Sequence, residues 1–186
     1  MHLNPYFYQK LVRPKFAINK YIKNIVEKVF DFKDKKILDF CTGSNSFIFD
    51  SKNYIVDIEK QRIIFASKLF PKYNFKCIEN SSLDLANNSL DYICIFAVIH
   101  HISDDIFKYI DEFKRVLKND KIIIIEPVLN KKYKFSNWFM NTLDDEYIRY
   151  EEEYLALFEN DFTVKVHKRF NKFFLYNEIF FSLSLK

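Results

Sequence analysis

From Lys36 onward, short apolar runs alternate with segments whose apolar residues recur every three or four positions. Lys36–Cys41, Asn53–Asp57, Phe75–Ile78, Asp91–Phe96 and Lys121–Glu126 are rich in Ile, Val, Tyr and Phe and are bounded by polar or turn residues. That is the pattern of buried parallel strands. Between them, Glu59–Phe70 places Ile63, Phe65, Ala66, Leu69 and Phe70 on one helical stripe that stops before Pro71. Ser103-Asp104-Asp105 forms an acidic N-cap for a helix carrying Ile106, Ile110, Phe113 and Leu117, ending at Asn119-Asp120. Ahead of these, Phe16, Ile18, Ile22, Ile25, Val26 and Val29 mark an amphipathic helix. After Pro127 come a mixed aromatic stretch, an acidic helix from about Tyr150 to Glu159, and β-rich runs at Phe162–Phe170 and Phe173–Leu185. The pattern predicts an α/β, doubly wound Rossmann-like sheet with helices on both faces and an antiparallel edge. A ligand then belongs at the carboxyl ends of the strands.

Composition narrows the class without naming a reaction. At 186 residues, with 49% hydrophobic and 29% charged positions, the chain has the length and balance of one globular domain. The excess of Lys, Ile, Phe and Tyr over Gly, Pro and Arg follows the codons of an AT-rich genome and needs no functional cause. A net charge of +4 from scattered lysines reads as a solvated surface, so no nucleic-acid partner is expected. Cys41, Cys77 and Cys94 lie in apolar runs without paired metal-ligand spacing. They read as free thiols in a reducing, cytoplasmic setting, with no metal site. The longest apolar run, Tyr92 to Ile99, is far short of the ~20 residues that span a bilayer.

The chain has a single glycine, Gly43, and it falls just beyond the first predicted strand, in Asp39-Phe40-Cys41-Thr42-Gly43-Ser44-Asn45-Ser46. A backbone that approaches a cofactor closely needs small residues and a position tolerant of positive φ, which Gly43 and Asn45 supply. An ordinary strand-to-helix turn would look the same. Asp57 closes the second strand, where an acid can accept both hydroxyls of a ribose or simply cap the next helix. Glu79-Asn80 form a polar step after the third strand, able to meet an adenine amino group. Two adjacent histidines, His100 and His101, follow the fourth strand. Neighbours on a helix or strand diverge, so at most one is expected to face a site as a base or substrate contact.

The order of these blocks resembles the class I S-adenosylmethionine-dependent methyltransferases. The resemblance is carried by Ile37-Leu38-Asp39, Val56-Asp57, Asn88-Ser89-Leu90-Asp91, Val98-Ile99-His100-His101-Ile102, Phe113-Lys114-Arg115-Val116-Leu117-Lys118 and Ile124-Ile125-Glu126-Pro127. It is nearest the small-molecule branch that includes the ubiquinone and menaquinone biosynthesis type. It implies a sheet of seven strands, mostly parallel with an antiparallel last strand, and S-adenosyl-L-methionine as cofactor. Asp39, Cys41, Thr42 and Gly43 would hold its methionine end, and Asp57 the ribose, with Ile58 following. Glu79 and Asn80 would lie by the adenine, and Phe96 near the methyl group. Where the family loop reads G-x-G-x-G, this chain has Cys41, Gly43 and Asn45 at the glycine positions.

The implied reaction is methyl transfer to a small-molecule acceptor, apolar or aromatic, by in-line displacement. His100 or His101 would serve as base if the acceptor must lose a proton. Glu126 is a weaker base candidate and fits better as a capping carboxylate. No Asn/Asp-Pro-Pro-aromatic tetrad follows the fourth strand, which argues against methylation of nucleic-acid bases. The expected layout is an N-terminal helical lid at 1–33, a cofactor-binding core at 34–127, and a substrate-side segment with the terminal strands at 128–186. Tyr6, Tyr8 and Arg13 with Lys134–Arg149 would cover the substrate. The competing reading is a non-catalytic binding or scaffold protein on the same fold, with a worn cofactor loop; a nicotinamide-dependent enzyme is a third.

Overall fold

The computed structural model describes residues 22–41, 52–79, 81–102, 106–118, 121–143, 147–172 and 176–186. The apolar runs are the interior of one sheet built from β1 (Lys36–Phe40), β2 (Lys52–Asp57), β3 (Asn74–Cys77), β4 (Tyr92–Phe96), β5 (Ile122–Leu129), β7 (Phe162–Lys172) and β8 (Tyr176–Leu185). Their order is β3-β2-β1-β4-β5-β8-β7, and a two-residue β6 (Arg149–Tyr150) pairs off this path with the end of β5. β1 to β5 pair in parallel, whereas β8 runs antiparallel to both β5 and β7. The last strand, β8, is antiparallel as expected, and the β7–β8 hairpin forms this edge with β8 on its inner side beside β5. Asn177 to Leu183 are buried without interruption, so β8 needs cover on both sides and inserts beside β5. The edge falls to β7, whose exposed Lys165, Lys168 and Arg169 suit a strand with one unpaired side.

Strand alternation divides the core into two layers. On one face Leu38, Phe40, Ile93, Ile95, Ile122 and Ile124 pack against the helix α3 (Phe107–Val116). Its Ile110 and Phe113 belong to the expected stripe, as do Ile106 and Leu117 flanking the helix, and all four are buried. Phe113 meets Phe40 edge-on at 5.1 Å. On the other face Ile37, Cys94, Phe96, Ile123, Ile125 and Phe180 are covered by a helical segment over 22–27 and by Phe30 and Phe32. Each fully buried aliphatic or aromatic side chain here is worth roughly 1.5–3 kcal/mol. Ser103–Asp105 and Asn119–Asp120, the expected cap and stop of α3, lie outside the described residues.

The remaining helices are α1 (Lys60–Leu69), α2 (Ile99–Ile102), α4 (Lys134–Leu143) and α5 (Glu151–Ala156). The acidic helix is shorter than its sequence pattern because the chain turns at 157–161, and Phe158 packs against Phe162 at the start of β7. Among the described residues no helix is long and apolar enough to cross a membrane.

Two residues from the resemblance prove architectural. Asp91 accepts the Lys36 backbone N–H at 2.8 Å and so ties the start of β1 to that of β4. Arg115 grips the preceding loop through the Leu85 carbonyl at 2.6 Å and Asn87 at 2.8 Å, and pairs with Glu112. A bulge between Val166 and Lys168 turns His167 against Phe30 and Phe180, with its Nε2 2.8 Å from Ser182 Oγ.

Candidate functional site

The sheet order reverses direction between β1 and β4, and the crevice outside the carboxyl ends of those strands is where doubly wound sheets bind ligands. Both strands end in the same backbone conformation. Cys41 and Ala97 each have φ of 55°, a region that costs a non-glycine residue roughly 1–2 kcal/mol. Cys41 stays tied to β2 by its N–H to the Val56 carbonyl at 2.9 Å, and Ala97 to β5 by its N–H to Ile125 at 2.8 Å. Cys41 thus takes the backbone conformation that a glycine would take without strain. Strain of this kind gathers where a loop must take one path.

Asp57 closes β2 beside this point and is buried at 1% exposure. Its Oδ1 accepts the Glu59 N–H at 2.9 Å, the local turn that starts α1. Its Oδ2 is buried without a hydrogen-bond partner among the described residues. Burial pushes the Asp57 carboxyl above the ordinary range, and the Glu59 N–H only partly offsets this. Burial also pushes the Cys41 thiol well up, with the Asp57 charge adding to the effect. Cys77, from β3, donates to the Ile58 carbonyl at 3.6 Å, so a thiol braces the turn that carries Asp57. A buried carboxylate with one unused oxygen suits a diol donor such as a ribose.

The other expected cofactor residues are placed as follows. Asp39 is buried on β1 opposite Cys94, whose thiol is held high by burial and then by the Asp39 charge. Ile58 is half exposed just past Asp57, and Glu79 is exposed beyond β3. Phe96 is buried in the layer beneath the helical segment over 22–27. Thr42, Gly43 and Asn80 lie outside the described residues, as do Ser44 and Asn45.

Glu126, at 0% exposure on β5, organises the segment after β4. Its Oε1 accepts the N–H groups of Val98 at 2.8 Å and Ile99 at 3.0 Å. Its Oε2 lies 2.7 Å from His100 Nδ1. The carboxylate is therefore a cap with its oxygens engaged. His100 is buried and His101 is exposed, yet their rings do not diverge as adjacent residues were expected to. The centroids are 3.9 Å apart with a 43° tilt, at the short α2.

Sequence patterns gave no sign of two further features. Ala97 carries no signature of its strained backbone. A strap over 147–150 crosses the carboxyl edge, with Tyr147 N–H on the His100 carbonyl at 2.9 Å and β6 alongside Val128 and Leu129. Tyr154 lies buried behind it, its phenol pushed up by burial and by the Glu126 charge.

Residues 38–125 match the family described as methyltransferase domain. No curated protein matches the chain. Among solved structures, the PH0226 protein from Pyrococcus horikoshii is similar over 100% of both chains at 15% identity, with a TM-score of 0.74. An S-adenosylmethionine-dependent methyltransferase from Aquifex aeolicus is similar over 98% of this chain and 100% of its own, at 18% identity and a TM-score of 0.65. A geranyl diphosphate C-methyltransferase from Streptomyces coelicolor, solved with S-adenosyl-L-homocysteine, covers 91% of this chain and 76% of its own at 10% identity and a TM-score of 0.67. At these identities the likeness establishes the fold, and the cofactor indicated by the domain match is S-adenosyl-L-methionine.

Proposed function

We propose that the chain, whose residues 38–125 match the methyltransferase-domain family, transfers a methyl group from S-adenosyl-L-methionine to a small-molecule acceptor. The observation that carries this reading is Asp57, a buried carboxylate with an unused oxygen at the tip of β2. In this reading Asp57 takes the ribose hydroxyls, Asp39 and the Cys41–Gly43 backbone hold the methionine end, and Ile58, Glu79 and Asn80 border the adenine. The cofactor, when bound, supplies a methyl group already activated on a sulfonium sulfur. The chain then has to position the acceptor, exclude water and take up a proton if one is released.

In this reading the acceptor side falls to the segments flanking a cofactor floor at 34–127; Tyr6, Tyr8 and Arg13, expected to cover the substrate, lie outside the described residues. Phe135 and Trp138 on α4 are 66% and 62% exposed, with ring centroids 5.7 Å apart, which favours an apolar or aromatic acceptor. The three thiols are free, in keeping with a reducing compartment. Titration calorimetry with S-adenosylmethionine and S-adenosylhomocysteine tests the proposal. Saturable binding that Asp57→Ala weakens supports it, and no heat at millimolar ligand removes it. That second result would leave the non-catalytic reading, for which the glycine-poor stretch from Cys41 to Asn45 is the argument.

A further inference from the structure

We infer that Glu126 and His100 are positioning residues that present His101 to the acceptor as its proton acceptor. The inference rests on the methyltransferase reading and assigns different roles to three side chains at one strand end. Glu126 is excluded as the base because its oxygens are already taken up by the Val98 and Ile99 N–H groups and by His100. Those oxygens act as acceptors, so the Nδ1 hydrogen resides on His100 and the ring is held in one tautomer. His100, at 1% exposure, is walled in by the strap whose Tyr147 N–H binds its carbonyl. His101 alone of the three reaches solvent, at the carboxyl end of β4 next to the switch point.

The contact between the rings makes the arrangement more than a cap. At 3.9 Å, a protonated His101 lies against a neutral imidazole whose Nδ1 is hydrogen-bonded to the Glu126 carboxylate. That order of groups favours the imidazolium, as a buried acid does in triad chemistry. The step is a proton transfer: the acceptor's proton passes to a ring nitrogen of His101, and its bonding pair stays on the atom to be methylated. The imidazolium then returns the proton to water. Among the described residues, the charged and titratable groups near Glu126 include Tyr154 from α5 and Arg149 from the strap.

Ring-nitrogen NMR of the ¹⁵N-histidine protein tests this without a known acceptor. In the unsubstituted protein His100 should show the Nδ1–H tautomer; the Nε2–H tautomer at His100 overturns the assignment. Saturation with S-adenosylmethionine should lower the His101 midpoint by at least about half a pH unit relative to S-adenosylhomocysteine, because the ligands differ by one positive charge at the sulfur. Equal midpoints in the two complexes place His101 away from the methyl group and overturn the proposal. Glu126→Gln should lower the His101 midpoint with S-adenosylhomocysteine affinity kept within about twofold, and an unmoved midpoint removes Glu126 from the array. If that variant does not fold, the two measurements on the unsubstituted protein decide the matter. Absence of any cofactor binding would instead sink the methyltransferase reading itself.

Discussion

Cys41 and Ala97 end the two strands on either side of the reversal in the sheet, and both hold φ at 55°. Neither residue type favours that region. Two neighbouring turns are therefore set by the sheet and its ligand edge against local preference.

Ala97→Gly should raise stability. Relief of roughly 1–2 kcal/mol of strain is partly offset by the roughly 0.5–1 kcal/mol that glycine costs through the unfolded chain. The net gain is about 0.5–1 kcal/mol, read as a higher urea midpoint at unchanged slope. A lower midpoint would mean that the Ala97 methyl contributes packing that outweighs the backbone term.

Asp57→Ala should weaken S-adenosylhomocysteine binding by about 1.5–3 kcal/mol, the loss of a charged hydrogen-bond partner. The pH dependence has a definite sign. The Asp57 carboxyl is raised by burial, so the ligand-free fold is favoured by its protonation as pH falls, and that contribution is lost as pH rises through the raised value. Ribose hydroxyls need the ionised acceptor. Affinity should therefore drop on acidification already above the ordinary Asp value of about 3.9, with Asp57→Asn showing a flat profile in calorimetry.

His167 gives stability a second pH dependence. Burial, then Lys165 and Lys121, hold its pKa below the usual 6.5. The unfolded chain consequently binds the proton more readily. Stability should be full above about pH 6.5 and decline as pH falls below it, and His167→Gln should flatten the urea midpoint between pH 8 and 5.

Ser136→Ala should cost about 1–2 kcal/mol. Ser136 Oγ accepts from the buried Asn177 Nδ2 at 2.9 Å, while Asn177 Oδ1 accepts from Asn171 at 2.7 Å. Removing the hydroxyl strands an amide between α4 and the β7–β8 hairpin. Differential scanning calorimetry should show the loss, with the Asn177→Ala, Ser136→Ala pair less than additive.

The central parallel strands were legible because they are buried on both faces and so read as continuous apolar runs: Ile93 to Phe96 and Ile122 to Ile125 carry no polar residue except Cys94. Strand pairing was less legible. Nothing local to Phe173–Leu185 says that it inserts beside β5, since that follows from both its faces needing cover. At the site, Asp57 was marked by its place at a strand end. The Glu126 cap was foreseeable as a role, but its partners Val98, Ile99 and His100 are 26 to 28 residues away and could only be seen in the fold. Ala97 was invisible, because its conformation is set where β4 ends and its N–H is held by Ile125 of β5.

β6 pairs with the last two residues of β5, so the excursion over 130–148 leaves a strand and returns to the same strand. An insertion anchored twice to one element can change length or composition without shifting the register of any other pair in the sheet. The chain thereby separates two evolutionary problems. Residues 34–127 are constrained by the sheet, whereas exposed positions of the excursion such as Phe135 and Trp138 can change at little risk to the fold, the buried Ser136 and Met140 being its fixed points.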